Sequence, residues 1–503
     1  MKPSRVSVLI AGAGPSGLTL AIELARRGVD CRIVDRAAAP FPGSRGKGLQ
    51  PRTLEVFEDL GVLDAVLAGG APFPAFRMYS GTTVLWERGL AEMLGTELPR
   101  RAPDVPHPLP WLIPQWRTDA ILRDRLEQLG GRVERPTELV EFSQDDDGVV
   151  ATLRHHHGET ERVRADFLVG TDGGRSFVRK HAGVGFAGTT QESERTLIGD
   201  VRADGVEGVY CHMFTGGDLA KRFSLWNLPA SDHYQFVAAV DQGDEPELSL
   251  ATVQRMLDER SGRTDIRLHD LRWISLYRIN VRLAERFRIG RVFLAGDAAH
   301  VHSSAGGQGL NTSVQDAYNL GWKLAAVLRG APEALLDSYH DERFPVAAEV
   351  LDVSTDLHRR GFRATTAPPG SAPAIHQLDI TYRGSALAVN DRAEPGSPRA
   401  GDRAPDAPLH TASGGRTRLF EVFAGPRWTA LSFGAAPAPD LGPDVTAFSV
   451  AARGGDLVDT DGHAARAYAV PEGTCVLVRP DGYLGLVTTE IGRVRDYLRR
   501  VGL

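Results

Sequence analysis

Hydrophobic positions in the first 35 residues change their period twice. Val6 to Ala11 form a short, mostly apolar run, the pattern of a strand buried on both faces. After Gly12-Ala13-Gly14-Pro15-Ser16-Gly17, the residues Leu18, Ala21, Ile22, Leu24 and Ala25 recur at helical spacing, and Gly28 is placed to stop that helix. Val29 to Val34 form a second apolar run ending at Asp35, 18 residues after Gly17. The predicted unit is strand, glycine turn, helix, strand. Two later segments also pass from an apolar strand into a glycine turn. Phe167-Leu168-Val169 leads into Gly170-Thr171-Asp172-Gly173-Gly174 and a helix from about Ser176. Arg291 to Ala295 leads into Gly296-Asp297, and Gly306-Gly307-Gln308-Gly309-Leu310-Asn311 then opens a helical pattern through Asp316, Leu320, Trp322 and Leu324.

Between these segments the pattern is that of a sheet. From about Glu192 to Ile279 the chain reads as strands, including Phe223–Leu228 and a partly alternating run His233–Val240, with one helix near Leu250–Glu259. Phe73–Trp86 is expected to contribute to the same sheet domain, although Arg77–Trp86 and Leu90–Pro110 read as loop-rich. After helices over 313–365, Thr365–Ala374 suggests a mobile loop, and a Pro- and Gly-rich stretch from Glu394 to Pro405 opens a tail of short strands and helices.

The first unit carries recognisable chemistry. Gly12 permits the tight turn, Gly14 lets the backbone approach a pyrophosphate, and Gly17 allows close helix–strand packing. The helix N-terminus around Pro15 and Ser16 offers free amides and a partial positive charge. Asp35 is placed to accept hydrogen bonds from ribose hydroxyls, with Arg36 beside it. No second GxGxxG follows on a strand–helix unit, so a separate nicotinamide-binding domain is not expected. The first unit alone leaves FAD and NAD equally open.

Composition narrows the class without naming it. A chain of 503 residues suggests two to four domains, and 42% hydrophobic with 24% charged residues is ordinary for a globular protein. The formal net charge of −6 argues against a nucleic-acid binder. No apolar run reaches the roughly 18–20 residues of a membrane span, and the N-terminus does not read as a secretory signal. Three separated cysteines, Cys31, Cys211 and Cys475, allow no disulfide framework or CxxC site, which fits a reducing cytoplasm. Only five of the 58 basic residues are lysine. His155-His156-His157 lacks accompanying metal ligands and reads as a solvated hairpin, so no metal is expected.

The three strand–glycine segments, in this order, resemble the class A flavoprotein monooxygenases, the aromatic hydroxylases typified by p-hydroxybenzoate and phenol hydroxylases. Ser44-Arg45 with Gln50-Pro51-Arg52-Thr53-Leu54-Glu55, and Pro114-Gln115-Trp116-Arg117-Thr118, match further segments of that family. The similarity spans essentially the whole chain and lies closest to the bacterial branch acting on phenylpropionates and aromatic polyketides. It implies an α/β fold with three parts. These are a Rossmann-like FAD-binding domain (1–72, 106–185 and 280–390), an inserted mixed β-sheet substrate domain (73–105 and 186–279) and a thioredoxin-like C-terminal domain (391–503). The tail lacks CxxC, so packing or dimer contact is its expected role.

The resemblance further implies FAD as cofactor, NADPH or NADH as co-substrate, and O2 with a phenolic or polycyclic aromatic as substrates. Oxygen transfer would pass through a hydroperoxide at flavin C4a. The cofactor-binding set is then Gly12, Gly14, Pro15, Ser16, Gly17, Asp35, Arg36, Arg45, Gln115, Asp172, Gly296, Asp297, Gly307, Gly309, Leu310 and Asn311. Asp297 would take the ribityl hydroxyls, and the helix beginning near Gly309 would point its amides at the isoalloxazine. Arg45, His302 and Ser304 are the candidates at the reacting centre, with Tyr79 a further candidate base. Ser304 stands where hydroxylases of the family usually carry proline, which leaves Baeyer–Villiger oxygenation, a non-oxygenating redox step, or a non-catalytic flavin- and substrate-binding protein as alternatives. The oligomer is expected to be a monomer or homodimer.

Overall fold

The computed structural model describes residues 4–94, 98, 100–303, 305–360, 375–391 and 398–503. Ser304, Thr365–Ala374 and the start of the Pro- and Gly-rich stretch lie outside the described residues.

Three eight-stranded sheets organise the described residues, beside a small three-stranded sheet of Gly48–Leu49, Trp111–Leu112 and Ala71–Pro72. In the first, Ser4–Ala11 pairs in parallel with Cys31–Val34 on one side and with Thr160–Gly170 on the other, and Val292–Leu294 extends the sheet beyond Thr160–Gly170. Segments more than a hundred residues apart thus become neighbouring parallel strands whose ends carry the glycine turns. This fits their composition, since Val8, Leu9, Ile10, Leu168, Val169, Val292, Phe293 and Leu294 are all fully buried. Helix Pro15–Ala25 covers one face and packs on the long helix Gly309–Leu328. The two helices approach so closely that a Cβ on Gly321 would lie 2.5 Å from Glu23 Cβ. Glu23 is buried there between Arg26 and Arg27, at 2.6 and 2.7 Å.

The second sheet contains the long strands Phe186–Asp204 and Arg267–Ala284 with His233–Val240, Phe223–Asn227 and Tyr210–Phe214. The alternating run His233–Val240 forms a strand of those bounds, and helix Leu250–Ser261 packs near it. Arg77–Trp86 departs from the loop expectation. Ala75–Ser80 and Thr83–Arg88 form a hairpin, whose first strand runs parallel to Tyr210–Phe214. Its sequence shows no clean alternation because Phe76 and Met78 are buried in one cluster and Tyr79 in another, while Thr83, Val84 and Leu85 on the edge strand are exposed.

The third sheet is built from the tail, with Trp428–Phe433 central between Val445–Ala451 and Cys475–Val478. Cys475 is buried there, and burial pushes its thiol up to about 11. His155 ends a strand and pairs with Glu161 at 3.2 Å, and residues 156–157 belong to the turn. None of the described helices is long and apolar enough to cross a membrane.

Candidate active site

The strand ends of the first sheet and one face of the second enclose a cavity of about 2570 Å³. Drug-sized ligand pockets run to roughly 1,000 Å³, so this space accommodates a dinucleotide together with a second, bulky molecule. Gly12, Gly14, Pro15 and Ser16 of the glycine turn are in its wall, as are Phe76, Met213 and Trp226 of the second sheet and Phe73 just before that sheet's strand Ala75–Ser80.

The three glycines of the turn have different physical causes. Gly12 has φ +107°, and a Cβ there would meet the Thr171 carbonyl oxygen at 2.4 Å. At Gly17 a Cβ would meet the Gly12 carbonyl oxygen at 2.0 Å, so this position holds helix against strand. Gly14 is different. Its φ of −81° suits any residue, and no atom of the described residues lies within 4 Å of where its Cβ would be. Nothing among the described residues demands glycine there, whereas a pyrophosphate lying against the backbone would. Ser16 Oγ, beside it, is buried without a hydrogen-bond partner among the described residues. The helix that starts here carries Gly14 as N-cap and no side-chain cap. The cradle fits a dinucleotide.

Asp35 Oδ2 accepts from Ala13 N at 2.9 Å and Oδ1 from Ala37 N at 2.8 Å, which fixes its carboxylate at the strand end. Arg135, which carries no motif of its own, reaches Asp35 at 3.2 Å and Ala13 O at 3.3 Å and also lines the cavity. Arg36 lies in the same wall. Asp172 lines the cavity too, but its carboxylate is committed to its own turn, accepting from Ser176 Oγ, Phe177 N and Val178 N at 2.5, 2.7 and 3.1 Å. Gln115 Oε1 accepts from Gly46 N at 2.9 Å and ties helix Gln115–Gln128 to the segment bearing Arg45.

At the far side of the turn, Asp297 opens onto the cavity between the Gly296 turn and Tyr277. Its side chain is exposed to the open cavity, yet the protein enclosing it raises its carboxyl above the ordinary range, with His300 and Arg45 opposing. Burial likewise pushes Tyr277 up to about 12, with Asp297 adding to the rise. Gly307, Gly309 and Leu310 line the cavity where helix Gly309–Leu328 begins, again without a side-chain cap. Gly307 has φ +62°, so this turn too requires glycine. Asn311 is fully buried and is not in the wall. It accepts from Gln50 N at 2.7 Å and donates to Gly48 O and Gly307 O at 2.8 and 2.6 Å, locking the strand Gly48–Leu49 to the helix start. Gly17 and Gly296 also act from behind the wall, whereas Arg45 and His302 lie in it. Tyr79 does not line it. Its hydroxyl bonds His212 Nδ1 at 2.8 Å and its ring stacks on Phe214.

Lys47 is a further cavity residue, and no motif marks it. Its ammonium bonds Gln235 Oε1 and sits 4.0 Å from the centre of the Trp226 ring. Burial lowers it to about 8, against the fields of Cys211 and Asp200. Its one signal in the sequence is rarity, as one of five lysines among 58 basic residues. Asp119, pushed up to about 7 by burial, is equally silent, since an acid inside an amphipathic helix looks like any surface residue.

Comparison with known proteins adds to this geometry. Residues 5–354 match the FAD binding domain family, and residues 397–501 match the aromatic-ring hydroxylase C-terminal family. The chain belongs to the FAD-dependent aromatic monooxygenases. It is 57% identical over 497 residues to a flavin-dependent monooxygenase of Mycobacteroides abscessus, covering 99% of this chain and 100% of that one. It is 35% identical to the 6-methylpretetramide 4-monooxygenase of Streptomyces rimosus, covering 95% and 90% of the two chains. Among solved structures, aklavinone-11 hydroxylase with FAD and aklavinone superposes with a TM-score of 0.84 at 28% identity, covering 100% of this chain and 99% of that one. The α/β fold and FAD as cofactor follow from this membership, and the non-catalytic alternative gives way to an enzyme.

Proposed function

We propose that this monooxygenase uses NADPH or NADH to hydroxylate a phenolic or polycyclic aromatic, of the kind found among polyketides. The observation that carries the reading is the continuity of the cavity. One space runs from the dinucleotide cradle at Gly14 to an apolar wall of Phe73, Phe76, Met213 and Trp226, and its volume leaves room for several fused rings beside a cofactor.

The residues divide the task. Gly12, Gly14, Pro15 and Ser16 would hold the pyrophosphate, Asp35 and Arg36 the adenosine end, and Asp297 the ribityl chain. When bound, FAD would accept two electrons from the nicotinamide and pass them to O2, activating it. The uncapped start of helix Gly309–Leu328 turns its positive end toward the cavity and supports negative charge there. Arg45 adds a cation to the same region, its guanidinium resting 5.1 Å from the centre of the Phe41 ring. The apolar wall excludes water and orients the aromatic. Relatives named as 6-methylpretetramide, 12-dehydrotetracycline and anhydrotetracycline monooxygenases and as a pentachlorophenol 4-monooxygenase support both ends of this substrate range.

The test is NADPH and NADH oxidation with O2 uptake, screened against simple phenols and multi-ring aromatics. Aromatic-stimulated turnover with a product heavier by one oxygen supports the reading. Turnover without any gain of oxygen would replace it with a non-oxygenating redox step.

A further inference from the structure

Lys47 joins the segment that bears Arg45 to the second sheet. Its backbone, directly before the strand Gly48–Leu49, accepts from Ile113 N at 2.8 Å. Its side chain crosses to the sheet, where Nζ donates to Gln235 Oε1 on His233–Val240 and sits 4.0 Å from the centre of the Trp226 ring on Phe223–Asn227. Both partners are themselves held. Gln235 is 1% exposed, and its Nε2 donates to Ser44 O, which fixes the amide with its oxygen toward Lys47. The Trp226 ring forms a T-shaped pair with Phe76, centroids 5.1 Å apart, and its Nε1 donates to Ser224 Oγ at 3.1 Å.

The ammonium held in this way lacks a counterion. It has three N–H donors. Gln235 takes one, and no carboxylate of the described residues lies within 4.0 Å of Nζ. Arg135 and Arg195 of the same cavity wall are paired, with Asp35 at 3.2 Å and Glu245 at 2.7 Å. Two acidic groups act on Lys47 through space. Asp200, on Phe186–Asp204, is fully buried and outside the wall, and Cys211, on Tyr210–Phe214, is a thiol that burial keeps protonated. Trp226 and Gln235 carry no ionisable group. A cation set among apolar side chains costs free energy that a ligand anion offsets. Lys47 is partly exposed and lines the cavity beside Phe76, Met213 and Trp226, so an aromatic lying on these apolar groups meets its charge.

We propose that Lys47 is a specificity-determining residue whose ammonium holds an ionised oxygen of the substrate, so that the enzyme selects aromatics bearing an acidic hydroxyl and binds them as the anion. This rests on the reading that the cavity takes an aromatic substrate, and it narrows that class. On binding, the substrate O–H bond breaks and its electron pair stays on oxygen. Where Lys47 is already charged the proton passes to water, and where it is not Nζ takes it. Both routes end in the same ion pair. The oxyanion feeds electron density into the ring that is to accept oxygen, and the ammonium keeps it ionised. Gln235 is the positioning residue, because a neutral amide holds the ammonium in the wall without cancelling its charge.

The experiment titrates alizarin, a polycyclic phenol whose neutral and anionic forms differ in colour, bound to the FAD-loaded wild type, K47M and Q235E. Methionine removes the charge at similar length, and glutamate at 235 supplies an internal counterion while the lysine stays. The bound dye is expected to ionise at a pH lower by about one unit or more in the wild type than in K47M. Q235E should shift the midpoint in the same direction as K47M, with flavin absorbance unchanged in all three. Where K47M does not fold, Q235E carries the same test. Equal midpoints in wild type and K47M, a wild-type midpoint in Q235E, or no dye bound by the wild type would each overturn the proposal. So would loss of FAD from a folded K47M alone, which would put the ammonium on the cofactor. Unchanged midpoints on a yellow, phenol-responsive enzyme remove only the role of Lys47. A wild type that holds no FAD, or whose NADPH oxidation no phenol stimulates, removes the functional reading itself.

Discussion

Arg479, directly after the tail strand Cys475–Val478, donates to both carboxylate oxygens of Glu342 on the long helix Asp337–Arg360, at 2.7 and 2.8 Å, and both side chains are fully buried. Lys323 reaches the same carboxylate at 2.7 Å, and Asp481 takes the remaining face of Arg479 at 2.6 Å. The tail is therefore fastened to the cofactor-binding region by a closed set of ion pairs rather than by apolar contact alone. Removing one member leaves buried charge without its counterion. Glu342→Gln is expected to cost about 3–5 kcal/mol, read as a drop in unfolding midpoint. A wild-type midpoint would show that the network contributes nothing.

The same carboxylate sets a pH dependence. Burial raises the pKa of Glu342, but Arg479 and Lys323 outweigh it and hold the group well below the ordinary carboxylate range. Its folded value is thus depressed relative to the unfolded chain. The stability it contributes is present above about pH 4.3, the unfolded value, and is lost as pH falls toward the folded value. Wild-type stability should fall more steeply than that of E342Q as acid is added, measured by chemical denaturation at successive pH values. Parallel curves would contradict the assignment.

The glycines of the turn separate folding from binding. Gly14→Ala places its methyl in open space at an ordinary φ, so the fold should be retained while FAD affinity falls at least tenfold, about 1.4 kcal/mol. Gly17→Ala drives a Cβ into the Gly12 carbonyl and should lower stability even without cofactor. Apo-protein melting and FAD titration of both variants check this. Equal FAD affinity in G14A and wild type would remove the cradle.

The same turn marks how far local sequence pattern reaches. The cradle is legible in the sequence because Gly12, Gly14 and Gly17 sit between a strand pattern and a helix pattern, with Asp35 at the expected offset. The segments around Asp172 and Asp297 are legible as strand ends, but the fate of each side chain is not. Asp172 has the sequence setting of a ligand contact, and its carboxylate instead caps the turn that follows. Asn311 falls among the expected cofactor contacts because it follows Leu310, yet its amide holds two segments of backbone together. Lys47, Arg135 and the His300–Asp316 pair are silent because their partners lie far away in the chain, on Gln235, Asp35 and a neighbouring helix. Long-range pairing leaves no periodicity to read.

Lys47 gives a further expectation. Its folded pKa of about 8 lies below the unfolded value of about 10.4. Keeping it charged therefore costs stability that is recovered as pH rises through the folded value toward the unfolded one. Lys47→Met should gain more stability relative to wild type at pH 7 than at pH 9, measured by thermal unfolding, and should weaken the binding of phenolate probes. A pH-independent difference would place the ammonium in contact with water.

The most direct test of the central claim is turnover under isotopically labelled O2 with NADPH and a multi-ring phenol, followed by mass spectrometry of the product. One labelled oxygen atom is expected in the aromatic product, formed by yellow, FAD-loaded protein and lost with Asp297→Ala as FAD is lost. A product whose added oxygen comes from water, or NADPH consumption with no labelled aromatic product, would contradict it.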